Sequence, residues 1–278
     1  DRGERFAEID GVGDEGNFEG ANILHLARPL EEEASRRGLS AAHLLAELEA
    51  DRERLRKARE ERVPPFLDDK VLTEWNAQMI GALARAGFAL DEPRYLSAAR
   101  RAADFLSRAL REPSARLRRA FRNGRHAGEA VLEDYAFLTE GSLDLFEAAA
   151  EPRWLEMARA TADAMIGDFA DAEEGGFFAT PADAEPLPVR DKPSYDGAQP
   201  SGNSVAALAL LRLDALTGEP RYGEAAEGAL RAFGGLLEKG ATANPKMALA
   251  LDWRLDRAKE ILIVYTPEDP GHALKQVL

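Results

Sequence analysis

The sequence predicts an all-α protein, a ring of helical hairpins closed toward an α/α toroid rather than opened into a solenoid. Three observations predict it. The tripeptide Glu-Pro-Arg followed by an aromatic occurs three times, at Glu92–Tyr95, Glu151–Trp154 and Glu219–Tyr222, a period of 59 and then 68 residues. Each copy opens a stretch with apolar residues every three or four positions, the pattern of a helix buried along one stripe. Each is preceded, 18 to 19 residues upstream, by the start of a helix that is apolar nearly all round, and such a helix must be covered on most sides. The unit is therefore a hairpin of an inner and an outer helix, and the long returns between units gather at the N-terminal ends of the inner helices. Those returns carry glycine and aromatics, as in Gly175-Gly176-Phe177-Phe178, and they favour the closed ring.

In chain order, the first element to weigh is Gly11-Val12-Gly13-Asp14-Glu15-Gly16, which has dinucleotide-fingerprint spacing. No apolar strand precedes it, and Asp14 and Glu15 would turn negative charge toward a phosphate, so it is set aside. A helix is expected over Ser40–Arg62, capped by Ser40 and ended near Pro64-Pro65. The hairpins follow at about 72–110, 132–170 and 201–238, with Pro93, Pro152 and Pro220 in the first turn of each outer helix, where a missing N–H costs nothing. Pro245–Leu255 reads as a fourth inner helix. Ile261–Tyr265 is a β-branched run, expected to be a truncated strand. The domain expectation is thus a toroid portion over 1–258 with short β segments in its loops, and the start of a further region over 259–278. The ring is expected to be incomplete.

Composition excludes several functions. The 278 residues hold 36 basic and 50 acidic side chains, a net charge of −14, which repels a phosphate backbone, so no nucleic-acid partner is expected. There is no cysteine and there are four histidines, which argues against thiol chemistry, cysteine-ligated zinc and a multi-histidine metal site; no metal and no cofactor is expected. The acidic run at Asp171–Gly175 lacks calcium-loop spacing. No apolar run approaches the roughly 20 residues of a membrane span, and no membrane partner is expected. Asp1–Arg5 is charged and no apolar leader follows it; a cytoplasmic location is the expectation.

The three returns concentrate the reactive side chains. Carboxylates, amides and aromatics around one mouth suit a polyhydroxylated ligand, and paired carboxylates could protonate a leaving group and activate water. Asp69, Asp134 and Asp196 are the acid/base candidates, with His126 as a fourth. Trp75, Asn76, Glu133, Arg190, Lys192, Ser201 and Asn203 are candidate ligand-binding groups, with Tyr135 and Phe177 as apolar walls. The competing reading is structural, because Asp, Ser and Thr at helix starts are first of all caps.

Five motifs in order, Gly16–Gly20, Asp68–Asn76, Leu132–Leu138, Gly175–Phe178 and Asp196–Ser204, resemble the YyaL-like thioredoxin-domain-containing proteins, the spermatogenesis-associated protein 20-like family. The resemblance implies an α/α toroid similar to N-acylglucosamine 2-epimerases and six-hairpin glycosidases. It also implies a longer parent whose thioredoxin-like domain and first toroid hairpins are absent from this chain. The function implied is sugar hydrolysis or isomerisation by rim carboxylates on a carbohydrate ligand. The alternative is a non-catalytic binding or scaffold domain that partners a redox domain.

Overall fold

A computed structural model describes residues 1–256 apart from 113, 115, 186 and 187. The expected strand at 261–265 and the region 259–278 lie outside the described residues. The chain divides into two compact units at Asp68. The first holds α1 (Arg2–Ile9), α2 (Leu30–Arg36) and α3 (Ala41–Glu60), with a small core of Ile9, Ala34, Leu44 and Leu48. Ser40 caps α3 by accepting the His43 N–H, and the glycine-rich Gly11–Gly16 segment is a loop held by Asn17 and Asn22.

The second unit carries the hairpins. Inner helices α4 (Thr73–Ala89), α6 (Leu132–Ala149), α8 (Gly202–Thr217) and α10 (Pro245–Leu255) alternate with outer helices α5 (Pro93–Ala109), α7 (Pro152–Phe169) and α9 (Pro220–Gly240). The fold is that of an α/α toroid. Helices α6 and α8 are buried along nearly every residue of their first three turns, whereas α7 and α9 bury one stripe. Burial of their apolar surface drives the assembly, and the core runs continuously from Ala77 to Ala250.

Neighbouring inner helices approach closely because glycine faces backbone. A Cβ on Gly141 would stand 2.5 Å from the Ala77 carbonyl oxygen, and one on Gly81 would stand 2.7 Å from the Asp144 carboxylate. The far ends are tied by charge. Asp144 accepts from Arg85 at 2.8 Å through both oxygens and from Arg212 at 2.7 Å, joining α4, α6 and α8.

The first two returns form a sheet in which β1 (Val71–Leu72), β2 (Arg118–Arg122) and β3 (Arg125–Glu129) pair antiparallel in that order. Asn123 and Gly124, with φ of 51° and 75°, make the two-residue turn between β2 and β3. At Gly175 the φ of 77° and a would-be Cβ 2.4 Å from the Gly228 carbonyl oxygen both demand glycine.

Candidate functional site

All four inner helices begin at one rim, and two aspartates do most of the work of starting them. Asp134, in the first turn of α6, accepts the Val131 N–H at 3.0 Å and, across the seam, the Glu74 N–H of α4 at 3.0 Å. It caps two helices at once, and Arg119 from β2 donates to its second oxygen at 3.0 Å. Asp196 accepts the Ser201 N–H at 2.9 Å just before α8 and the Lys246 and Met247 N–H groups of α10 at 2.8 and 3.4 Å. Ser201 caps α8 in its own right through the Ser204 N–H.

Between these caps lies a cluster of charge. Glu74 is 2% exposed; one oxygen accepts from Arg119 at 3.1 Å and the other from the Gln199 side chain. Gln199 belongs to the third return, so Glu74 joins the α4, β2 and α8 approaches. The Glu133 carboxyl lies against the N-terminal turn of α8, where a Cβ on Gly202 would stand 3.1 Å from its oxygen. Burial pushes the Glu133 carboxyl above the ordinary glutamate range, and the neighbouring Glu74 charge adds to it, against the pull of backbone N–H donors and Arg119. Burial also pushes Asp134 up to about 6, against the pull of the Val131 N–H, Arg119 and the Glu74 N–H. Trp75 and Tyr195, 63% and 70% exposed, stand open on the loops and first turn of this end.

The structure brings Asp134 and Asp196 to one rim, and Glu133 beside Asp134. Asp69 and His126 sit elsewhere: Asp69 pairs with Arg122, and His126 lies on exposed β3 with its ring 5.7 Å from Phe121. Several expected ligand groups are spent on building the rim. Asn76 donates to the Leu72 carbonyl at 2.8 Å. Asn203 bonds the Phe177 backbone through both its atoms and the Pro193 carbonyl. Arg190 donates to the Thr180 carbonyl and stacks on Phe178 at 3.9 Å. Lys192 bonds Asp171 at 2.7 Å and Glu174 at 3.3 Å. Tyr135 and Phe177, placed as walls by the sequence, lie in the core at 3% and 1% exposure; the Tyr135 hydroxyl accepts the Leu117 N–H, and its ring packs 4.9 Å from Phe169.

Glu74 was not among the sequence candidates. Its signal was present: α4 holds only two charged residues, Glu74 and Arg85, in an otherwise apolar helix. Among the described residues no group of three or more His, Cys, Asp or Glu is placed to hold a metal ion, and no helix is long and apolar enough to cross a membrane.

No family model matches the chain. Human spermatogenesis-associated protein 20 is 36% identical over 258 residues, covering 89% of this chain and 33% of that protein. The chain is a homologue of spermatogenesis-associated protein 20. It spans about a third of the length of the curated relatives it matches, the rat and mouse proteins of the same name among them, at 36% identity each. Among solved structures, the family 76 α-mannanase of Bacteroides thetaiotaomicron superposes with a TM-score of 0.53 at 13% identity, over 70% of this chain and 53% of that one. A family 76 glycoside hydrolase from a bovine strain of the same species gives 0.51 at 15% identity, over 61% and 36%. At such identities the likeness is one of fold, and it agrees with the toroid read from the repeats.

Proposed function

We propose that the rim is a binding site for a carbohydrate-type ligand, with Glu133 as the group that exchanges a proton during sugar hydrolysis or isomerisation. The observation that supports this reading is the placement of Glu133. It is a half-buried carboxyl on the first turn of α6, set against the start of α8 beside Glu74 and Arg119, and it keeps its proton to higher pH than an exposed glutamate. A general acid needs that retained proton. The Glu74–Arg119 pair holds charge beside it, and Trp75 and Tyr195 offer apolar ring faces to a sugar. Asp134 and Asp196 frame the site by fixing the helix starts, and Asp69 is paired with Arg122.

The second reading is a non-catalytic binding domain that presents ligands to a thioredoxin-like partner. It is favoured by the engagement of Asp69, Asp134 and Asp196 in an arginine pair and in helix caps. An oligosaccharide panel titrated into the chain and into Glu133→Gln separates the two. The enzyme reading expects binding by both proteins. It also expects turnover of a bound sugar, followed by NMR of its anomeric protons, to fall at least a hundredfold in the variant. Turnover by the unaltered chain should decline as pH rises through the lifted Glu133 value, because the acid form is then lost. Binding without turnover in either protein favours the scaffold, and no binding to either ends the carbohydrate assignment.

A further inference from the structure

Helix α6 carries five acidic side chains, Glu133, Asp134, Glu140, Asp144 and Glu147, and no basic one. All but Asp134 follow each other at steps of seven, four and three residues, which sets them on one stripe of the helix. Three of those four are matched by cations. Glu147 pairs with Arg212 at 2.8 Å, Asp144 with Arg212 and Arg85, and Glu140 with Lys246. Among the described residues Glu133 makes no ion pair, and burial strengthens its hold on a proton. The stripe thus bears one carboxyl suited to be an acid and, seven residues on, one held beside a cation.

Their partners bring both carboxyls to the rim. Lys246 lies in the first turn of α10, where Asp196 accepts its N–H at 2.8 Å. Helix α8 stands between α6 and α10, so Glu140 reaches past α8 to meet Lys246. Glu133 lies one helix nearer, against the first turn of α8 at Gly202. Seven residues of helix rise about 10 Å, and packed neighbouring helices stand about 8–10 Å apart. Both measures exceed the roughly 5–5.5 Å between an acid and a carboxylate nucleophile. They fit the wider class of pair, in which a water stands between the base and the sugar. Lys246 takes one Glu140 oxygen, and the other accepts no hydrogen bond among the described residues.

We propose that Glu140 is the general base that works with Glu133, and that the reaction is glycoside hydrolysis with inversion at the anomeric carbon. This rests on the reading of Glu133 as the acid. Glu133 gives its proton to the glycosidic oxygen as the bond from that oxygen to the anomeric carbon breaks. Glu140 takes a proton from a water whose oxygen bonds the opposite face of the same carbon. The products are the free alcohol and a sugar of inverted configuration. Glu133 is left ionised and Glu140 protonated, and proton exchange with solvent resets both.

The probes are p-nitrophenyl α- and β-glycosides of glucose, mannose and galactose, beside disaccharides of the same sugars, given to the 278-residue chain. A p-nitrophenolate leaves without being protonated, so the two roles separate. Glu133→Gln should lose at least a hundredfold on a disaccharide and less than tenfold on the matching aryl glycoside. Glu140→Gln should lose at least a hundredfold on both. Anomeric-proton NMR, taken before the product mutarotates, should show the configuration opposite to the substrate. Should Glu140→Gln melt below the assay temperature, Glu140→Gln with Lys246→Gln leaves no cation stranded and carries the same expectation. A retained configuration, an isomerised product, or full activity without Glu140 overturns the inference and leaves Glu133 as the acid. No turnover of any probe by the unaltered chain overturns the enzyme reading, and this inference with it.

Discussion

The seam between α4 and α6 and the seam between α8 and α10 are started by the same device and hold different chemistry. In both, one aspartate caps two helix starts from a single carboxyl. Asp196 spends itself on backbone N–H groups alone. Asp134 accepts a backbone N–H at each oxygen and shares one of the two with Arg119, and Arg119 also holds Glu74. The arginine turns a cap into part of a charged cluster, and it is at this seam that carboxyl groups are lifted from their ordinary range. A cap alone builds a scaffold; a cap that shares a cation with a buried glutamate builds surroundings in which a proton can be held.

The largest way to break the comparison is Asp134→Ala. It removes two caps and strands Arg119 beside Glu74, and breaking a buried charged network of this kind costs about 3–5 kcal/mol. Urea unfolding with a loss below about 1 kcal/mol would put the two seams on a par.

A pH comparison sharpens it next. Because the folded Asp134 carboxyl stands at about 6 against an ordinary 3.8, the folded state binds its proton more tightly. Its contribution is fully present below the ordinary value and is lost as pH rises through 6, on the order of 2 kcal/mol over that window. Asp134→Asn cannot titrate, so the difference in unfolding free energy between the two proteins should change by that amount from pH 4 to 6.5. A constant difference would refute the lifted value. Asp196→Ala comes last, at about 1–2 kcal/mol, the ordinary cost of a lost cap, read from the same urea unfolding; a loss as large as that of Asp134→Ala would erase the difference between the seams.

Much of the fold could be read from the chain because helix boundaries are local. Glu-Pro-Arg marks α5, α7 and α9 to the residue, and Ser40 and Ser201 cap the helices that follow them. The rim was legible for the same reason, since the inner helices share one direction. Which carboxylates stay uncommitted was not legible. The donors that occupy Asp134 and Asp196 come from Glu74, 60 residues away, and from Lys246, 50 residues away, and a backbone N–H carries no mark of its destination in the sequence. Tyr135 and Phe177 read as walls because aromatics near a rim look alike in sequence whether they face inward or outward; their burial, at 3% and 1% exposure, puts both rings in the core. The β2–β3 hairpin puts His126 on the exposed strand β3 and supplies the Arg122 that pairs with Asp69; its Asn-Gly turn was there to be recognised.

A helix whose first turn is completed by its neighbour's side chain cannot fray by itself. With Asp134 spanning α4 and α6, and Asp196 spanning the approach to α8 and the start of α10, opening either member exposes unsatisfied donors on the other. The repeats are thereby welded in pairs, so that amide protons at Glu74 and Val131 should exchange at one common rate, as should those at Ser201 and Lys246, each pair opening as a single cooperative block.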